Sequence, residues 1–419
     1  MARIILATLG SLGDLHPIIA LALELRRRGH EAVVATSECY REKIHGLDLD
    51  FHPLRPDLLT SDATLIAEVM DGPRGSERLF RKHLFPVVRA MYADLVTAVA
   101  GADLLIASEL VFAAPIVAAK HAIPWVSYQL APISIYSRYD PPVLPLPVAT
   151  RWLCRGGPVL ARPVRAIAEI VSHSWWQPVR ELRQELGLPA GAHPLFAGKY
   201  SPRLNLALFS AELQGAQKDW PAATVQTGFP FYDESGAAHA LPPAVSAFLE
   251  AGDDPIVFTL GSAAVYLPGN FYGESVRAAQ RLGRRALLLV GKNPLPTGLP
   301  RSLLAWDYLS FALIFPRAAA VVHQGGVGTT AQALRAGRPM VIVPFAHDQF
   351  DNAARMTRRG VARTVPRAYY QSERVAAALR NLLENAPAHR TSAAIAARIR
   401  QERGVEQAVD AIESALLKL

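Results

Sequence analysis

The chain has 419 residues, 51% of them apolar and 19% charged, with a formal net charge of +8. This composition excludes a disordered chain and, at roughly 150 residues per domain, provides for two or three buried cores. Two cysteines, Cys39 and Cys154, exclude a disulfide framework and fit a reducing compartment.

The first element is ARIILAT, an Ile-rich run expected as a buried parallel strand. GSLGDLHP follows as a turn-forming loop. PIIALALELRRRGH has helical spacing, with Pro17 in its first turn and Gly29 at its end. EAVVATS, ADLLIAS and IPWVSYQ are further strands, and FAAPIVAAKHA is the helix between the last two. This alternation predicts a doubly wound α/β domain. From about Ala131 to Gly198 the pattern breaks. DPPVLPLPVATRW is proline-rich and amphipathic segments follow it, as in an insertion or lid. RLNLALFS returns to strand character, and turn signals from Phe231 to Pro243 predict an interdomain linker.

The second half repeats this logic. PIVFTLGS, RALLLVG, AAAVVHQGG and MVIVPFAHDQ are strands with their corners; ESVRAAQRLG, GTTAQALRAGRP and FDNAARMTRRG are helices. The tail from Glu373 to Leu419 is helical in composition. The predicted architecture is two Rossmann-like domains facing each other across a cleft. They span residues 1–235, with the insertion at about 131–198, and residues 236–400. A C-terminal helix, 401–419, is expected to pack back on the first domain. Ligands should bind beyond the carboxyl ends of the strands.

The tetrapeptide TLGS occurs twice, at Thr8–Ser11 and Thr259–Ser262, each time after an apolar run. A further corner, HQGGVGTT, begins at His323. Gly325, Gly326 and Gly328 let backbone approach a ligand closely. The amides of Gly328, Thr329 and Thr330 would open a helix N-terminus that favours phosphate, and His323 could donate to a phosphate oxygen. No Lys follows the glycines, so this is not a Walker loop. Asp348-Gln349 ends the next strand and offers acceptors and donors for sugar hydroxyls. Phosphate-type and hydroxyl-type corners on consecutive units suggest a nucleotide-sugar.

The run from His323 through Gly325-Gly326, Gly328-Thr329 and Pro344 to Asp348-Gln349 and Asn352 resembles the donor signature of the family 1, GT-B glycosyltransferases. GSLGD, DWPAATVQTGFPFYD, PIVFTLGS and AHDQFDNA are most similar to the bacterial branch typified by rhamnosyltransferases and by enzymes like the sterol glucosyltransferases. The resemblance covers nearly the whole chain. It implies that Gly261, Ser262, His323, Gly325, Gly326, Val327, Gly328 and Thr329 hold a donor diphosphate and that Asp348 and Gln349 hold the sugar. Trp306 lies where relatives stack an aromatic on the nucleobase; a core or interface Trp is the alternative. Gln332 stands near the position of a ribose-binding Glu in many relatives, which leaves that contact open.

The first corner continues as Gly13-Asp14-Leu15-His16-Pro17, on the acceptor side. Plant-type relatives carry a catalytic His where this chain has Asp14. A carboxylate there could take the proton of an attacking hydroxyl. Asp14 could instead cap the helix starting near Pro17. His16 is the competing base, and Glu109 could orient the base or contact the acceptor. The expected reaction is an inverting, metal-independent transfer of a hexose from a UDP- or TDP-sugar, with no cofactor beyond that co-substrate. The aromatic and proline-rich insertion suits an apolar hydroxylated acceptor, or equally a lid core without ligand contact.

No CxxC or HExxH spacing and no nucleic-acid motif appears. No apolar run reaches the roughly 20 residues of a membrane span, and no secretory signal opens the chain, so the cytoplasm is the expected location. The basic balance leaves peripheral membrane contact open. Rival readings are a nucleotide-sugar epimerase on the same architecture and a non-catalytic partner that binds nucleotide-sugar or an acyl intermediate.

Overall fold

The computed structural model describes residues 1–57, 62–144, 158–233 and 240–418. Part of the predicted insertion (145–157) and of the predicted linker (234–239) lies outside them. The chain divides into two compact units. One comprises Met1–Leu59, Pro73–Tyr232 and Glu402–Leu419; the other comprises Thr60–Gly72 and Asp233–Gln401. A short segment from the first half of the sequence thus clusters with the second unit, which periodicity gave no reason to expect.

The first unit is built on a seven-stranded parallel sheet, ordered β3-β2-β1-β4-β5-β6-β7. Its strands are β1 (Arg3–Ala7), β2 (Glu31–Thr36), β3 (Asp50–Pro53), β4 (Leu104–Ser108), β5 (Trp125–Gln129), β6 (Asn205–Ala207) and β7 (Thr224–Gln226). β1 and β4 read as unbroken apolar runs because both faces of the sheet are covered. Ile4 and Leu6 enter one core and Ile5 and Ala7 the other. The order reverses between β1 and β4, so the loops after these two strands flank the switch point.

Two predicted features change. The helix expected from Pro17 runs over Leu12–Arg27, so much of GSLGDLHP is helical rather than loop. Ser11 is its N-cap, and Ser11 with Asp14 forms a capping box that makes the earlier start stable. Within the predicted insertion, the helix Gln177–Glu185 packs Val179 and Leu182 into the core that contains Phe85 and Met91, and Trp176 joins them. These apolar side chains are core material. The last helix, Gly404–Leu416, puts Ala408, Val409 and Ile412 into the core of Ile18 and Leu21. Arg28 reaches Asp410 and Glu413 on it, each at 2.6 Å.

The second unit has a six-stranded parallel sheet, ordered β10-β9-β8-β11-β12-β13. Its strands are β8 (Ile256–Thr259), β9 (Ala286–Leu289), β10 (Leu303–Trp306), β11 (Ala320–His323), β12 (Met340–Ile342) and β13 (Ala362–Thr364). Here the reversal falls between β8 and β11, the strands that lead into the second TLGS and into HQGG. Among the described residues, no helix is long and apolar enough to cross a membrane.

Candidate active site

After β1 the backbone turns at Gly10 with φ of +128°, a region only glycine enters readily. A Cβ on Gly10 would lie 2.3 Å from Asp14 Oδ2, so the missing side chain makes room for this carboxylate. The Ser11 N–H donates to Asp14 Oδ2 at 2.8 Å and the Gly13 N–H to Ser11 Oγ at 3.2 Å. Asp14 is therefore a helix-capping residue, at the third helical position of a helix that begins at Leu12. The same contacts aim and hold its carboxylate. Burial pushes its pKa up to about 6; the Ser11 hydrogen bonds oppose this rise and the nearby charge of Glu109 adds to it. His16 sits two residues on, where helical geometry does not face it toward Asp14. Its ring packs 5.2 Å from that of Tyr232.

Glu109 follows β4 across the switch point. Its oxygens do not bond Asp14. Oε1 accepts from Ser134 Oγ and Oε2 from Lys199 Nζ, the latter at 2.5 Å. Burial disfavours the Lys199 ammonium most strongly of any single cause, but the Glu109 charge, the charge of Tyr200 and the hydrogen bond to Glu109 together outweigh it and raise the pKa of the group above its ordinary value. Glu109 thus acts on Asp14 through charge rather than contact. Beside it lies a cavity of about 230 Å³ walled by Phe112, Ile116, Trp125, Val179, Arg183 and Tyr200. Lys199 and Ser134 carried no motif in the sequence; they reach Glu109 only through the folding of the region after β5.

In the second unit, Gly261 turns the chain after β8 with φ of +65°, and Ser262 is the second residue of the short helix Gly261–Ala264. After β11 comes the buried His323, whose Nδ1 accepts the Gly325 N–H at 3.1 Å. Burial pushes this ring's pKa down to about 3, so it is neutral at pH 7. With Nδ1 accepting, the proton sits on Nε2. That Nε2 is buried and has no protein acceptor among the described residues. Gly325 has φ of +93°, and a Cβ there would lie 2.6 Å from Ile342 Cγ2.

Gly326 caps the helix Val327–Ala336. The expected row of amides is shorter than predicted. The Thr330 N–H closes the first turn onto the Gly326 carbonyl at 3.0 Å. The Val327 N–H donates to Asp348 Oδ2 at 3.1 Å. Gly328 and Thr329 retain N–H groups without an acceptor among the described residues. A Cβ on Gly328 would meet nothing within 4 Å, so the ground over this turn is open.

Asp348 and Gln349 begin the helix Gln349–Arg358, and both are partly committed to the protein. Asp348 Oδ2 also accepts from Asn352 Nδ2 at 2.7 Å, and the same nitrogen donates to the Gly325 carbonyl at 2.9 Å. Gln349 Oε1 accepts from the N–H groups of Phe345 and Ala346 at 2.8 and 3.1 Å. Asp348 and Asn352 thus bind this corner to the glycine corner. His347, just before them, holds a left-handed backbone with φ of +55°. Trp306 ends edge strand β10, partly exposed. Gln332 Oε1 accepts from Arg335 at 2.9 Å.

The chain is similar to known proteins. Residues 4–134 match the model of the glycosyltransferase family 28 N-terminal domain, and residues 288–413 that of the erythromycin biosynthesis protein CIII-like C-terminal domain. The O-mycaminosyltylonolide 6-deoxyallosyltransferase of Streptomyces fradiae is 33% identical, over 98% of this chain and 97% of its own. Glycosyltransferase GtfE of Amycolatopsis orientalis is 28% identical, over 86% of this chain and 85% of its own. The solved glycotransferase of kitacinnamycin aligns with a TM-score of 0.72 at 19% identity, covering 99% of both chains. The spinosyn rhamnosyltransferase complexed with thymidine diphosphate aligns at 0.71 and 17% identity, over 99% of this chain and 100% of its own. The chain belongs to the GT-B glycosyltransferases of family 1. It is a glycosyltransferase, and the epimerase and binding-partner readings give way.

Proposed function

We propose that the protein moves a hexose from a nucleoside-diphosphate sugar, of the UDP-glucose or TDP-rhamnose type, to a hydroxyl of an apolar small-molecule or lipid acceptor. The reaction inverts the anomeric carbon, needs no metal and takes place in the cytoplasm. The observation that carries this reading is the set of donors without protein acceptors after β11: His323 Nε2–H and the N–H groups of Gly328 and Thr329. These groups suit an anion, and a leaving diphosphate gathers negative charge as the glycosidic bond breaks. Ser262 adds a hydroxyl from the β8 corner. Gln349 Nε2 and Asp348 contact the sugar, and Trp306 stacks on the base. The spinosyn rhamnosyltransferase has been solved with thymidine diphosphate and with spinosyn aglycone, which supports a donor and an acceptor of these kinds.

Asp14 is the general base of this reading. With a pKa of about 6 it is mostly ionised at pH 7, yet more basic than an ordinary carboxylate. It takes the acceptor proton as that oxygen attacks the anomeric carbon from the face opposite the diphosphate. Ser11 holds the carboxylate in place through the attack. The test is a thermal-shift screen of UDP- and TDP-sugars, followed by transfer to a panel of hydroxylated apolar compounds. One donor should raise the melting temperature and give a product of inverted configuration. Retention would overturn the inverting mechanism, loss of activity in EDTA the metal independence, and silence across donors and acceptors the substrate classes.

A further inference from the structure

Gln324 lies between His323 and the glycine pair and is 6% exposed. Its Oε1 is buried without a hydrogen-bond partner, and no bond to its Nε2 exists among the described residues. Burying the Oε1 without a partner is unfavourable, and an apolar side chain of similar size would avoid the loss. Packing alone therefore gives no reason for Gln here.

Its position supplies one. A Cβ on Gly261 would lie 2.2 Å from Gln324 Nε2, and a Cβ on Gly326 would lie 2.9 Å from the same nitrogen. The carboxamide thus spans the corners after β8 and β11, on the two sides of the switch point. Gly261 needs glycine for its positive φ in any case. Gly326 does not: its φ of −59° and ψ of 145° suit any residue, so the amide is what excludes a side chain there. His323 Nε2–H and the Gly328 and Thr329 N–H groups belong to the same corner and are likewise without acceptors.

We infer that Gln324 is a donor-binding residue whose carboxamide donates a hydrogen bond to a diphosphate oxygen between the Gly261 and Gly326 corners. The inference rests on the donor reading above. A diphosphate has only acceptors to offer, and a carboxamide turns its N–H end toward them by rotation about its last torsion. In this arrangement Gln324 ties the β8 corner and the β11 corner to one ligand.

The test is calorimetric titration of the full-length protein with UDP, TDP, uridine and thymidine. Gln324→Met keeps the volume and removes the hydrogen bond. It is expected to weaken the diphosphate that the wild type prefers by about tenfold, the usual scale of one bond to a charged oxygen, and to leave the matching nucleoside unchanged. Gln324→Glu keeps the shape and adds a like charge; it should weaken the diphosphate further and decides the matter if the Met variant does not fold. Binding of the diphosphate within twofold of wild type in the folded variants overturns the inference alone. Equal weakening of nucleoside and diphosphate by Gln324→Met also overturns it, because the side chain would then be packing. If the wild type binds neither UDP nor TDP, the donor reading falls and the inference falls with it.

Discussion

At Gly10 the backbone turns with φ of +128°, and the carboxylate of Asp14 fills the place of a Cβ; at Gly261 it turns with φ of +65°, and the carboxamide of Gln324 fills that place. The two corners follow β1 and β8, each beside the switch point of its sheet, and share the tetrapeptide TLGS. They differ in where the cradled group comes from. Asp14 arrives four residues later, in the first turn of the helix that follows, and is held by Ser11. Gln324 arrives from the neighbouring strand and is held by no hydrogen bond among the described residues. The carboxylate of the first corner is held from within its own short stretch of chain. The second leaves His323, Gln324, Gly328 and Thr329 with unmatched polar groups, which is how a site looks when a ligand is meant to complete it. Burial moves the titrating groups in opposite directions: Asp14 up to about 6, His323 down to about 3.

Substitutions can break this contrast. Asp14→Asn should lower kcat by about 10²–10⁴-fold, the usual worth of a general base, and leave diphosphate affinity unchanged. The Asn oxygen can still accept the Ser11 N–H, so the helix start survives; wild-type turnover would reduce Asp14 to a cap. Gly10→Ala should lower kcat by about 10²-fold, since its Cβ must displace the carboxylate, whereas Gly261→Ala should act on donor KM; steady-state kinetics separates the two. His323→Ala should weaken nucleoside-diphosphate binding by roughly ten- to a hundredfold in calorimetry, the worth of one bond to a charged group, with kcat at saturating donor less affected.

The remaining effects are smaller and follow from the opposed pKa shifts. The pH profile of kcat/KM should fall below about 6, where Asp14 takes up its proton, and level off above it. Stability should carry both signatures with opposite signs. Between 3.8 and about 6, folded Asp14 keeps a proton that the unfolded chain has lost, so this corner loses stability as pH rises through that window. Below 6.5 the unfolded His323 gains a proton that the folded one refuses until about 3, so the other corner loses stability as pH falls. Chemical denaturation across pH should show the acid limb flattened in His323→Gln and the other slope removed in Asp14→Asn.

Much of the fold was legible. β1, β4, β8, β9 and β11 are buried on both faces and so appear as plain apolar runs. The edge strands β3, β7, β10 and β13 do not stand out as strands, since DFHP, TVQ, LLAW and ART are short and partly exposed. At the site, Asp14, His323 and the glycines were recognisable by type. The capping of the helix at Leu12 was signalled by Ser11 and Asp14 three residues apart, a capping-box spacing that the proline at 17 obscured. Gln324 stood inside the HQGG motif and drew no attention, because a polar residue at a strand end is ordinary until its partners can be counted.

By itself the sequence determined two doubly wound units, the glycine corners and the residue types at them, because periodicity, backbone permission and capping are local properties. Only the tertiary structure decided which of those groups are already engaged. Asp348 takes the Val327 N–H, Lys199 and Ser134 take the oxygens of Glu109, and His323 and Gln324 retain polar groups that no neighbour among the described residues satisfies. Hydrogen-bond satisfaction and desolvation depend on what packs around a group, and at these corners the neighbours come from distant parts of the chain.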